Sequence, residues 1–274
     1  MNTARLSDYL ALACEAAQLG GHALLKHRGQ LAHVRSKSSS GDLVTEADEA
    51  SEAAILTFLK AHLPDHAFLA EESGHHAADS DWLWAIDPLD GTLNYAHQLP
   101  FFCVSLGLMH HGQPVLGVVY APVLNELFAG YQGGGCTLNG TAIHVSAVDT
   151  LPQSFLATGF PYRKAELPDN NYAQFCYFAD RVQDIRRPGS AALDLAYVAC
   201  GRFDGFWERH LNAWDLCAGA LLVQEAGGRV SGYAGQPLEL ARGEILASNG
   251  VLHAELQNGL QALQTAGIQL RVTL

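Results

Sequence analysis

Residues 82–95 read WLWAIDPLDGTLNY, and the chain's architecture follows from how this stretch is parsed. Five apolar residues, Trp82 to Ile86, run into Asp87, Pro88, Leu89, Asp90, Gly91 and Thr92. The apolar run reads as a buried strand. Pro88 and Gly91 predict that it stops there in an irregular turn. Two carboxylates three residues apart then sit at a strand end. Buried like charges are costly unless something offsets them. A hard cation such as Mg²⁺ does so, because it takes oxygen ligands from carboxylates, phosphate and water. Gly91 and Thr92 add a closely approachable backbone N–H and a hydroxyl, which suit phosphate. A local turn capped by Asp87 and Asp90 accounts for the same residues.

Working outward, the chain has 274 residues, enough for one large domain or two modest lobes with a substantial core. Apolar residues make up 49% and charged residues 16%, the balance of an ordinary globular protein. A formal net charge of −12 argues against a nucleic-acid binder that works by neutralising phosphates. The six cysteines are scattered without C-x-x-C or zinc spacing, as expected of free thiols in a reducing compartment. The doublets His75-His76 and His110-His111 and the pair His62/His66 lack a matching ligand set, so they read as surface or core histidines. Asp8 and Glu15 interrupt the first segment, which argues against a signal peptide. The longest apolar runs are too short to cross a bilayer. A cytoplasmic protein without membrane contact is the expectation.

Residues 3–28 carry apolar side chains at helical spacing, and Ser and Gly dominate 36–41. Thr45 and Asp48 resemble a capping box that opens a helix running to Leu63. Strands are predicted over 101–109, 114–121 and 127–131, with Asn139-Gly140 as a hairpin turn. Beyond about 150, strands at 155–158 and 184–187 alternate with helices at 191–200, 213–226 and 251–265. Gly227-Gly228 would end the second of these. The pattern is mixed α/β, with two lobes, about 1–147 and 148–274, packed as one unit.

Further acids match the demands of a cation site. Glu71 and Glu72 follow a short apolar run, though a solvated turn explains them too. Asp215 opens an apolar helix, where N-capping is the simpler role. Thr45 and Asp48 form either the capping box or a hydroxyl–carboxylate relay. Glu208 ends a strand-like run seven residues before Asp215, and Gly189-Ser190 opens a helix whose N–H groups could face an anion.

Together these residues resemble the inositol monophosphatase family, within the lithium-sensitive, Mg²⁺-dependent phosphatases. Residues 87–95 look like its first signature and 213–220 like its second. Glu71-Glu72-Ser73 lies the expected distance upstream. Lys37 and 42–48 match its N-terminal pattern, and 186–195 looks like its bacterial branch. The resemblance spans about 6–266. It implies a layered α-β-α-β-α sandwich of the sugar-phosphatase type and a homodimer. It implies Mg²⁺, two or three ions per site, held by Glu71, Asp87, Asp90, Asp215 and the Leu89 carbonyl. Substrate contacts are implied from Leu89, Asp90, Gly91, Thr92, Arg186, Ser190, Glu208 and Asp215, with Glu208 on substrate hydroxyls. Glu71 and the Thr92/Asp48 pair would orient and deprotonate a metal-activated water, with no phosphoenzyme. The implied reaction is hydrolysis of a small phosphate ester, myo-inositol 1-phosphate first. Asn94-Tyr95-Ala96-His97 favours that substrate, while fructose 1,6-bisphosphate remains an alternative. A second alternative is a regulatory factor that binds a protein partner in transcription.

Overall fold

The N-terminal helical spacing and the Thr45–Asp48 box produce two long, adjacent helices. The computed structural model describes residues 3–29, 34–36 and 43–265. Lys37 and Asp42, with the Ser/Gly-rich stretch around them, lie outside the described residues. α1 (Thr3–His27) buries Leu6, Ala13, Ala17 and Leu24. β1 (Val34–Ser36) pairs antiparallel with β2 (Leu43–Thr45). α2 (Glu46–His62) then opens on Thr45, whose hydroxyl accepts from the Ala47 N–H at 3.2 Å. The Asp48 carboxylate returns the favour, accepting from the Thr45 N–H at 2.9 Å. The capping box is therefore real.

Next come β3 (Ala67–Ala70), β4 (Gly74–His76), β5 (Trp82–Asp90) and a short helix α3 (Thr92–Ala96). A meander follows: β6 (Cys103–His110), β7 (Gln113–Ala121), β8 (Glu126–Tyr131), β9 (Gly135–Leu138) and β10 (Thr141–Ala142). β3 to β10 form one eight-stranded sheet, ordered β10-β9-β8-β7-β6-β5-β3-β4, in which β3 and β5 run parallel. The Asn139-Gly140 turn joins β9 to β10 with both residues at positive φ, as a two-residue hairpin requires.

The second half supplies β11 (Phe155–Thr158), α4 (Tyr172–Ala179), β12 (Asp184–Arg186), α5 (Ala191–Ala199) and β13 (Gly205–Arg209). It ends with α6 (Ala213–Glu225), β14 (Arg229–Ser231), β15 (Glu244–Ser248) and α7 (His253–Thr265). These five strands form a second sheet, ordered β12-β11-β13-β15-β14.

Burial gives the layering. α1 and α2 cover one face of the large sheet, with Leu24, Ile55 and Leu59 against Trp84, Ile86 and Leu106. α5 and α6 fill the space between the sheets. Leu195 and Leu222 share a core with Val119 and Phe128 of the large sheet and Phe206 and Ile245 of the small one. α4 and α7 cover the outer face of the small sheet, with Phe178 and Leu260 against Trp207 and Leu246. Phe206 and Trp207 face opposite layers, as period-2 alternation demands. The order is α-β-α-β-α. Gly107 and Gly117 bring α6 close to the large sheet, since a Cβ at either would run into Cys217 or Ala218.

One expectation is corrected. β5 does not stop at Ile86 but continues through Pro88 to Asp90. Asp87 pairs with Ser105 and Asp90 with Cys103, so β5 carries an extra residue there. That is a β-bulge, a place where proline's missing N–H costs nothing. Residues three apart on a regular strand face opposite ways. The extra residue restores parity and turns Asp87 and Asp90 to one side.

Candidate active site

A cleft opens where β5 ends, lined by Glu71, Asp87, Asp90 and Asp215 together with Leu89, Gly91 and Thr92. Each acid arrives by a separate route. The bulge delivers Asp87 and Asp90. The Glu71 N–H donates to the Ile86 carbonyl at 3.1 Å, which ties the end of β3 beside β5. Asp215 sits in the first turn of α6. Ligand oxygens of Asp87, Asp90 and Asp215 lie within 4.8 Å of one another.

The local roles weighed from sequence coexist with this convergence. Asp87 Oδ1 accepts from the Leu89 N–H at 2.9 Å, a local turn. Asp215 Oδ2 accepts from the Asn212 N–H at 2.6 Å, a capping contact. Asp90 Oδ2 accepts from Ser190 Oγ and from the Ala192 N–H, both at 2.7 Å. Each carboxylate is thus anchored by at least one backbone N–H.

Packed together and buried, these carboxyls resist ionisation. Burial, then Glu71, Asp90 and Asp215, push the Asp87 carboxyl well above the ordinary range. Burial and the neighbouring Asp90 and Glu71 push Asp215 up to about 8. Asp90 rises to about 6, because burial outweighs its hydrogen bonds from Ser190 and Ala192. An all-oxygen donor set that resists ionisation for want of positive charge suits a hard divalent cation.

Thr92 Oγ1 stands 3.3 Å from Asp48 Oδ1 and 3.0 Å from the Leu89 carbonyl. The expected Thr92–Asp48 pair is therefore assembled. The other Asp48 oxygen takes the Thr45 hydroxyl at 2.6 Å, so one carboxylate bonds both the cap threonine and Thr92. Gly91 has φ 95°, and a Cβ there would press on the Phe101 carbonyl. Glycine is required at that position. Thr92→Ala should lower kcat more than it raises KM, because a water-orienting hydroxyl acts in the transition state. Asp48→Asn should likewise lower kcat. Thr45→Ala, which removes only the cap, should cost about 1 kcal/mol of stability with modest kinetic loss. Steady-state kinetics and thermal melts on the three variants separate relay from cap, and a pure KM change in Thr92→Ala would contradict the relay.

Glu208 is buried in the cleft wall at 8% exposure. Burial lifts it to about 8, with Arg187 opposing and Asp215 and Asp90 adding to the rise. Gly159, after β11, packs flat on this carboxylate, and any side chain there would collide with it.

Two predicted site residues are absent from the cleft lining: Asp48, which lies buried behind Thr92, and Arg186, which stays outside altogether. Arg186 is exposed, pairs with Asp184 on its own strand, and lays its guanidinium over the Phe155 ring at 4.8 Å. Its neighbour Arg187 lines the cleft instead. Successive residues of extended chain face opposite ways, and two adjacent arginines give a linear pattern no means of choosing. Sequence reasoning also passed over Gly159 and Asp194. Asp194 is buried on α5 with one carboxylate oxygen lacking a hydrogen-bond partner. Its signal was an acid inside an otherwise apolar helix.

The model of the inositol monophosphatase family matches residues 5–266. The chain belongs to the inositol monophosphatase family. It is 49% identical to the inositol-1-monophosphatase of a Synechocystis species, over 94% of this chain and 90% of that protein. It is 42% identical to the Nus factor SuhB of Pseudomonas aeruginosa, over 89% of this chain and 92% of the relative. The solved inositol monophosphatase of an Anabaena (Nostoc) species superposes with a TM-score of 0.87 at 48% identity, covering 94% of this chain and 97% of that one. Membership makes the chain a phosphatase of the Mg²⁺-dependent, phosphate-monoester-hydrolysing kind.

Proposed function

We propose that the chain hydrolyses small phosphate monoesters with Mg²⁺, and that myo-inositol 1-phosphate is its substrate. One observation carries this reading: four acids from three elements converge beside a threonine hydroxyl paired to a buried aspartate. Glu71, Asp87, Asp90, Asp215 and the Leu89 carbonyl would hold two or three Mg²⁺. Bound there, Mg²⁺ would neutralise the phosphate dianion and acidify water.

The remaining work falls to the chain's own groups. Thr92 Oγ1 can pass its proton to Asp48 Oδ1 while accepting one from the attacking water, and Glu71 orients that water. Gly91 and Thr92 offer backbone N–H groups to the phosphate. Ser190 acts through Asp90, whose carboxylate its hydroxyl holds. Direct displacement is supported by Cys103, the thiol beside Asp90. Burial and that acid hold it well above its ordinary pKa, in the poorly nucleophilic neutral form. The lobes 1–147 and 148–274 work as one unit in this account, since both line the cleft. The homodimer and the lithium sensitivity implied by the family belong to the same proposal. A protein partner in transcription is a second reading, favoured by the relatives named Nus factor SuhB.

Glu208 decides the substrate test. A buried carboxylate on the cleft wall can accept hydrogen bonds from polyol hydroxyls, and a site built for hydroxyls loses discrimination without them. Glu208→Gln should lower kcat/KM for myo-inositol 1-phosphate far more than for glycerol 2-phosphate. Kinetics on both esters, and on fructose 1,6-bisphosphate, check this. An equal loss on both would assign Glu208 to the cation site or the fold.

A further inference from the structure

The histidine doublet that lacked a partner in sequence finds one in the fold. His110 ends β6 and pairs across the sheet with Trp82, the first residue of β5. His111 begins the turn into β7 with φ 51°, followed by Gly112 at φ 77°. Its N–H donates to the Asp81 carbonyl at 3.0 Å, which fixes the turn against the residue preceding β5. The side chains follow the backbone. His111 Nδ1 lies 3.2 Å from Asp81 Oδ1, and the two imidazole centroids are 4.0 Å apart. One ligand atom from each of Asp81, His110 and His111 falls within 4.8 Å of the others. The Trp82 indole backs the His110 ring, at 4.2 Å between centroids.

We propose that Asp81, His110 and His111 form a surface site for a borderline transition-metal dication of the Zn²⁺ type, separate from the acidic cleft. Two imidazoles and a carboxylate are the donors such ions prefer, whereas Mg²⁺ prefers oxygen alone. Zinc bonds of about 2.0–2.1 Å at tetrahedral angles put neighbouring ligand atoms about 3.3 Å apart. The Asp81–His111 separation of 3.2 Å already meets that. Small ring rotations bring in His110 and leave a fourth position open to water. The nearby cation, Arg5 of α1, donates to the Tyr9 hydroxyl and lies over the Trp82 ring, 5.2 Å from its centroid. Five residue steps of β5 separate Trp82 from Asp87, about 15 Å or more along the strand. The site therefore clips the start of β5 to the β6–β7 turn and takes no part in hydrolysis.

The test uses the purified full chain with Mg²⁺ in large excess, so that the carboxylate cleft is saturated. Cu²⁺ is added as a spectroscopic probe, and Zn²⁺ affinity is read by competition with a chromophoric chelator. The expected result is one equivalent of Cu²⁺ whose EPR spectrum shows coupling to two imidazole nitrogens. His111→Ala and Asp81→Asn should each weaken Zn²⁺ binding about tenfold or more. Both positions are exposed, so these variants should fold and keep wild-type kcat. Zn²⁺ should also raise the melting temperature of wild type but not of Asp81→Asn. Unchanged Zn²⁺ affinity in both variants, or a Cu²⁺ spectrum without nitrogen coupling, would overturn the proposal and leave Asp81–His111 a plain ion pair.

Discussion

Replacing Asp90 with asparagine is expected to lower kcat about a thousandfold, roughly 4 kcal/mol of transition-state stabilisation, without unfolding the protein. The argument rests on how Asp90 is held. Its Oδ2 accepts from Ser190 Oγ and the Ala192 N–H. An asparagine carbonyl can accept both, so the backbone stays anchored. The loss is one negative charge where Asp87 and Asp215 converge. The stability effect has the opposite sign. Asp90 is raised to about 6 in the fold, so above that pH its ionised form costs more folded than unfolded. The metal-free variant should therefore melt at or above wild type at pH 8. Kinetics and melts on one preparation give both numbers. A variant that keeps a tenth or more of wild-type kcat would remove Asp90 from the cation site, and one that also unfolds would assign it to structure.

The second large effect concerns pH and metal together. Glu208 and Asp215 are raised to about 8, and Asp87 well above its ordinary value. A carboxyl whose folded pKa lies above its unfolded value favours folding while protonated. That contribution is full below the unfolded pKa, near 4, and is lost as pH rises through the folded pKa. Each such group loses about 1.4 kcal/mol per pH unit across that window. The metal-free protein should therefore lose stability steadily between pH 5 and pH 8. Mg²⁺ must displace the same protons, so its stabilising effect should grow over the same range. Melting curves with Mg²⁺ and with chelator at pH 5.5 and pH 8 test this. A Mg²⁺-induced rise that is equal at both pH values would mean the cleft acids are not its ligands.

Much of this was legible because the signals were local. The α2 capping box, the Asn139-Gly140 hairpin and the strand at 155–158 are each written within a few residues. The acids at 71, 90 and 215 were readable because each sits at or next to the end of an element, where punctuation residues mark it, and Asp87 because Pro88 follows it. What was illegible depends on partners far away in sequence. α4 is not legible because its N-cap, Asn171, takes a left-handed conformation with no side-chain cap bond, and its eight-residue, aromatic-rich sequence is too short to show a helical period. The continuation of β5 through Pro88 depends on β6 tolerating a bulge. The choice of Arg187 over Arg186, the glycine pressed on Glu208 and the third member of the His110-His111 cluster are all contacts between separate elements. Spacing along one segment does not report them.

The central claim is that four convergent carboxylates make this cleft a Mg²⁺-dependent phosphomonoesterase site. The most direct measurement is phosphate release from myo-inositol 1-phosphate by the purified chain as Mg²⁺ is titrated, beside a chelated control and the Asp90→Asn variant. The account predicts saturable release that rises with Mg²⁺, vanishes on chelation and returns when Mg²⁺ is restored, with Asp90→Asn nearly inactive throughout. Release that persists after thorough chelation, or that Asp90→Asn leaves intact, would contradict it.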